Sequence, residues 1–306
     1  MRMTMRSTCG RLALVCLLGA ASYTSAEPGH SRGSFTLAVQ TQSADEFYLQ
    51  DGSILDLGEL DTHSVFFGVS YNLNEHWTIH AGIPYIRSRY SGYLAHDPAL
   101  IDDPSVAEEA AEAEFLDDGE YHGAFQDFKF GVSYHTRFRG LNLTPFVEVE
   151  IPSHGYETFA LAAVGLHQKR LELGVETGKV IDFSRFYWRA MLSHTWVEPV
   201  ENVNTDHWRY ELELGYSFSP QLAGRVYYSG KKGNGLDAPE DYPSFTDRRW
   251  FYHDQTMRHE YTNVGVGLDY SLNPEYTVSM WTVSMIDGSS INRPDYSLHL
   301  ELTKSF

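Results

Sequence analysis

Residues 295–306 alternate. Tyr296, Leu298, Leu300, Leu302 and Phe306 share one face, while Asp295, Ser297, His299, Glu301 and Thr303 share the other. A two-residue period sends successive side chains to opposite faces of a strand, and the same period recurs along most of the chain. Beyond residue 26 the longest apolar run is the eight residues 159–166, far short of the about 20 a membrane helix needs. A bilayer core offers no water to backbone groups, so a chain that crosses it without helices must cross as a closed sheet. Strands that are apolar on one face and polar on the other, ending in a terminal aromatic, therefore predict an all-β fold: an antiparallel transmembrane β-barrel.

Residues 1–26 read as a cleaved secretory signal, leaving 27–306 as a single barrel domain. Arg2, Arg6 and Arg11 precede an apolar stretch over 12–21, and Thr24, Ser25 and Ala26 form a small-residue cleavage site. Cys9 and Cys16 both lie in this segment, so the mature chain has no disulfide, thiolate metal site or thiol nucleophile. Losing three arginines and no acids takes the formal charge from −18 to −21. Such a balance repels nucleic-acid phosphates. With 42% hydrophobic and 14% aromatic residues the chain still buries ample surface.

Alternation and turn signals place about twelve strands, at 33–42, 61–71, 77–87, 123–135, 141–151, 167–179, 185–197, 207–218, 222–231, 259–271, 276–286 and 295–306. Over 207–218, Trp208, Tyr210, Leu212, Leu214, Tyr216 and Phe218 oppose Arg209, Glu211, Glu213, Gly215 and Ser217. Short connections at 72–76, 136–140, 180–184, 219–221 and 272–275 alternate with long ones at 43–60, 88–122, 152–166, 198–206, 232–258 and 287–294. Short periplasmic turns and long extracellular loops are the pattern of this barrel class. A soluble β-sandwich also alternates. Against it, Tyr71, Trp77, Tyr85, Tyr134, Trp188, Trp196, Trp208, Tyr216, Tyr270 and Tyr276 stand near strand ends, as interfacial girdles do.

Lipid-facing charges cost about 2–4 kcal/mol near the midplane, so the charged face must look inward. That face holds His80, Lys129, Glu148, Glu150, Arg170, Glu172, Glu176, Arg189, Arg209, Glu211, Glu213, Arg225, Asp269, His299 and Glu301. Facing acids and bases either line a selective pore or pair into a plug. The connection 88–122 carries ten acids, among them Asp102, Asp103 and Glu108, against the single base Arg89. Ser105 with Glu108 fits a capping box ahead of a helix to about Leu116. This loop binds divalent cations, narrows the pore or is a solvated surface; its spacing is not that of an EF-hand. Trp250 and Tyr252, with Tyr242, Phe245, Phe251, Arg248 and Arg249, make an aromatic and basic loop that catches solutes or packs against its neighbours. Ser153–His154 and Ser193–His194 are adjacent in sequence. In an extended segment their side chains face apart, which argues against a hydrolase. No histidine spacing marks a metal site, and no cofactor is expected.

Three segments resemble the outer-membrane family named for the MetA pathway of phenol degradation. Gly68, Val69, Ser70 and Tyr71 lead through Trp77 to Ala81, Gly82, Ile83, Pro84 and Tyr85, like that family's second hairpin. Residues 123–134 resemble its Gly-x-x-Asp-aliphatic strand, with Gln126 where glycine is usual. Glu150, Ile151, Pro152, Ser153, His154 and Gly155 stand where it has a Leu-Pro-Thr-Gly segment, here with Ser153 and His154 inserted. The resemblance implies a barrel passing small aromatic or apolar molecules. The expectation is then a passive outer-membrane channel or solute-binding barrel in a Gram-negative envelope. Its partners would be outer-membrane lipid and lipopolysaccharide, the barrel assembly machinery through the C-terminal strand, and a small solute. The alternatives are a filled structural barrel or an outer-membrane lipid hydrolase.

Overall fold

The computed structural model describes residues 31–92, 104, 107–108, 111, 114–237 and 248–306. Its strands are β1 (Gly33–Tyr48), β2 (Ile54–Asn72), β3 (Trp77–Gly92), β4 (His122–Phe125), β5 (Asp127–Tyr134), β6 (Thr136–Phe138), β7 (Leu141–Pro152), β8 (Arg170–Val180), β9 (Phe186–Val197), β10 (His207–Ser217), β11 (Leu222–Gly233), β12 (Glu260–Asn273), β13 (Tyr276–Ser289) and β14 (Ile291–Ser305). Every pairing is antiparallel, and β4, β5 and β6 follow one another along a single wall position. The fourteen strands therefore make twelve staves. Pairing of β14 with β1 closes the wall, from Ser34 opposite Ser305 to Tyr48 opposite Ile291. Phe306 seals the seam: its amide donates to the Gly33 carbonyl at 2.9 Å and its ring lies 4.9 Å from Phe35. Closure removes the edges that an open sheet would expose.

The alternation explains the burial. Phe35, Leu37 and Val39 on β1, Phe128, Phe130 and Val132 on β5, and Leu298, Leu300 and Leu302 on β14 are all exposed on the outside. Their neighbours Ser133, Ser297, His299, Glu301 and Thr303 are buried inside. This inversion of a soluble core is stable only where the outer band meets hydrocarbon. Aromatic contacts mark the two rims of that band. Trp77 lies against Tyr134 and Phe186 against Tyr216 at one end, and Tyr85 against Phe125 at the other.

All twelve expected strands are present, and two of the expected long loops are not. Within 43–60 only residues 49–53 are free of strand, and between β13 and β14 only Ser290 intervenes, at φ 54°. Register shifts at Ala44 break the sequence period while pairing continues. A second irregularity lies beside Gln126. From Gly82 to Tyr85 β3 advances three residues, while its partner advances four from Phe125 to Lys129. The extra residue is a β-bulge, which bends the strand and increases its twist.

Candidate solute path

An ionic girdle follows the inner wall from β3 to β12. His80 Nε2 lies 3.1 Å from Glu148 Oε2, and the Lys129 ammonium contacts both Glu148 and Glu150. Arg170 reaches the other oxygen of Glu150 at 3.1 Å. Arg209 pairs with Glu172 at 2.9 Å. Arg189 lies among Glu211, Glu176 and Glu213, and Arg225 sits 3.5 Å from both Glu213 and Asp269. Arg225 also lies 5.4 Å from the Trp281 ring, which stacks on His299 at 4.8 Å. The rest of the circumference, on β14, β1 and β2, carries Glu301 among the uncharged Ser297, Gln40, Gln42, Thr36, Ser64 and Ser70. The lumen is thus charged on one side and mainly hydroxyl- and amide-lined on the other. Burying a charge costs several kcal/mol unless it is paired, which is why nearly every cation here meets a carboxylate within 4 Å.

Aromatic side chains also lie along this inner wall. Tyr187 on β9 lies flat over Gly215 of β10, and Tyr227 on β11 over Gly265 of β12; a Cβ at either glycine would overlap the ring. The ring covers backbone that glycine leaves bare, and the absent side chain lets the ring hug the wall.

At the outer end, residues 153–169 leave β7 and fold inward. Phe159, Ala160, Leu161, Ala162, Ala163 and Val164 are almost wholly buried despite having no regular structure, and Ala160–Ala163 pack on Leu60, Tyr90 and Leu116. Side-chain hydrogen bonds hold this plug. The Asp117 carboxylate, 1% exposed, accepts the Leu161 and Ala162 amides at 2.9 and 2.8 Å. The Tyr156 hydroxyl donates to Asp127 beside the bulge. Ser153 Oγ donates to the Phe125 carbonyl at 3.0 Å. Gln255 Nε2 donates to the Leu166 carbonyl at 2.8 Å.

Gln255 belongs to a single helical turn (His253–Thr256) that follows the 3-10 segment Arg248–Tyr252. Trp250 and Phe251 clasp Phe159 at 4.9 and 4.6 Å. His259, just before β12, sets Nδ1 2.8 Å from the Ser290 carbonyl and Nε2 3.1 Å from that of Asp254. Burial, with the Lys231 ammonium nearby, pushes its pKa down to about 4. Below the plug, Gln168, Arg170, Thr205, His207, Lys231, Gln255 and His259 border a cavity of about 10 Å³, no larger than one water molecule. On the rim, the His122 hydrogen bond at 2.8 Å holds the Asp118 carboxyl below its ordinary range.

Each expected inward residue faces the interior. The girdle joins Lys129, Glu148, Glu150, Arg170, Glu172, Arg189, Arg209, Glu211, Glu213, Arg225 and Asp269, while Glu301 stands apart on β14, accepting from Thr303 Oγ1 at 3.1 Å. Asp102 and Asp103 lie outside the described residues, as does about half of the acidic loop. Glu108 is helical and exposed, but 114–117 are irregular, so the helix stops short of Leu116. Trp250 is buried within the plug, and Tyr252 is half-buried, edge-on to Phe251 at 5.1 Å.

Ser153 Oγ and His154 Nδ1 do meet, at 2.8 Å, contrary to the expectation for an extended pair. Because the hydroxyl donates to the Phe125 carbonyl, the histidine donates to it and cannot serve as its base. Ser193 and His194 face opposite sides as expected: Ser193 is buried inside, and His194 packs on Trp196 and Trp208.

Sequence reasoning missed the plug and the part Asp117 plays in it. The run 159–166, apolar in the middle of a loop, was the signal.

No family model matches the chain, and no curated protein matches it. Among solved structures it is similar to the COG4313 outer-membrane channel from Pseudomonas putida F1, with a TM-score of 0.68 at 13% identity, over 91% of this chain and 96% of that one. It is also similar to the NanC porin, with a TM-score of 0.51 at 9% identity, over 89% of this chain and 100% of that one. At such identities the likeness is one of fold: the chain is a twelve-stave barrel of the kind that outer-membrane channels adopt.

Proposed function

We propose that this barrel sits in the outer membrane of a Gram-negative cell and passes small solutes passively, with aromatic or apolar molecules entering past the outer plug. The resemblance of three segments to the phenol-degradation family supports the choice of solute, and the shared fold supports the channel. The C-terminal strand, closing on β1 with Phe306 at the seam, is the segment offered to the assembly machinery.

The observation that carries the reading is the girdle. Along the inner wall runs a continuous row of charged side chains in which acids outnumber bases. Glu148, Glu150, Glu172, Glu176, Glu211, Glu213, Asp269 and Glu301 outnumber Lys129, Arg170, Arg189, Arg209, Arg225 and Lys231. A low-dielectric tube with that excess favours cations.

A non-conducting structural barrel is the second reading, favoured by the small cavity beneath the plug. Uptake of a labelled monoaromatic compound at low micromolar concentration, compared between a deletion strain and its parent, separates the two. Slower uptake in the deletion strain, restored by the gene, is expected. Equal uptake removes the solute claim.

A further inference from the structure

The outward stripe of β3 runs Ile79, Ala81, Ile83, Tyr85, Arg87, Arg89. Tyr85 stands edge-on to Phe125 at 5.3 Å and belongs to the outer girdle. With about 3.3 Å per residue and a tilt near 40°, Arg87 lies about 5 Å and Arg89 about 10 Å beyond it. That is where lipid headgroups begin above an apolar band about 25 Å tall.

The two guanidiniums bracket one ring, with Arg87 Cζ 4.3 Å and Arg89 Cζ 5.0 Å from the centroid of Tyr121. The Tyr121 hydroxyl is fixed in turn, 3.2 Å from His63 Nε2, and His63 Nδ1 lies 2.9 Å from Thr41 Oγ1. Arg89 is neutralised by Asp61 at 2.5 Å. Arg87 is exposed and has no carboxylate partner among the described residues. In a chain of formal charge −18, an oriented guanidinium with no carboxylate partner among the described residues, placed on the lipid-facing wall, stands out.

We infer that Arg87, Arg89 and Tyr121 form an outer-wall site for the phosphate of a phosphorylated glycolipid of the outer leaflet. A guanidinium fork matches two phosphate oxygens, and stacking on Tyr121 fixes the fork before the ligand arrives. Acyl chains on Ile83 and Tyr85 continue directly below the phosphate. A free phosphate ion gains nothing from that second contact, so an amphiphile is the better fit.

The inference rests on the outer-membrane placement proposed above. The test uses purified mature protein in detergent, with native mass spectrometry against bisphosphoryl lipid A, its dephosphorylated form and inorganic phosphate. The wild type binds bisphosphoryl lipid A at least about tenfold more tightly than the dephosphorylated lipid. Arg87→Gln loses about that factor, Arg87→Lys recovers part of it, and Arg139→Gln at the opposite rim changes nothing. A factor of ten is about 1.4 kcal/mol, close to the lower end of what a hydrogen bond to a charged group contributes. Equal binding of the two lipids, or an Arg87→Gln protein that binds like the wild type, overturns the site while leaving the barrel intact. Competition by inorganic phosphate at micromolar concentration overturns the choice of a lipid. A chain that stays soluble without detergent and takes up neither lipid fails at the membrane placement instead.

Discussion

Glu150 is the busiest carboxylate of the inner wall, holding Lys129 with one oxygen and Arg170 with the other. Removing its charge strands two cations in a poorly solvated lumen, and breaking a buried pair in this way costs on the order of 3 kcal/mol. Glu150→Gln should therefore lower the unfolding temperature in detergent and shift the reversal potential toward anions. An unchanged reversal potential would show that the girdle does not govern selectivity. His259 offers a pH test. Its pKa is about 4 when docked and returns to about 6.5 when the plug releases and the ring meets water. The released state therefore binds the extra proton more readily. Docking is at full strength above pH 6.5 and weakens by up to about 1.4 kcal/mol per unit as pH falls toward 4. Hydrogen exchange over 248–259 should accelerate between pH 7 and 5, after correction for intrinsic rates, and His259→Gln should flatten that dependence. Equal acceleration in both proteins would assign the effect to another group.

The plug is the element on which gating of the proposed channel would depend. Asp117→Ala removes two charge-assisted bonds to the backbone of Leu161 and Ala162, each worth about 1.5–3 kcal/mol. Larger or longer current openings should follow, with the barrel still folded. In the wall, Gly215→Val would drive Tyr187 off its neighbour and into the lumen, so conductance should fall while closure persists; heat-modified gel mobility checks the second half. The staves were legible because lipid on one side and water on the other force a two-residue period. That period fails where the physics changes. Ser43, Ala44 and Asp45 sit at a bulge beyond the apolar band, so β1 appeared to end at 42 although it pairs to Tyr48. Gly288, Ser289, Ser290 and Pro294 have turn chemistry, yet their segments pair with β12 and β1 rather than with each other. Of the candidate site, the girdle was visible as charges on the wrong face for lipid. The plug was not, because Asp117 is one acid among ten in its loop and its partners come 44 and 45 residues later.

For the whole molecule, greasy staves outside and paired charges inside require one another: neither face is stable unless lipid surrounds the first and the second encloses a polar path. In the proposed channel, the ties at Asp117, Asp127 and Gln255 close the outer mouth of that path at rest. Single-channel recording of the wild-type protein and Asp117→Ala in planar bilayers under a potassium chloride gradient tests this most directly. Small, cation-preferring currents are expected from the wild type, and larger ones of the same preference from the variant. A folded, bilayer-inserted variant that passes no current, or either protein preferring chloride, would contradict the proposed channel.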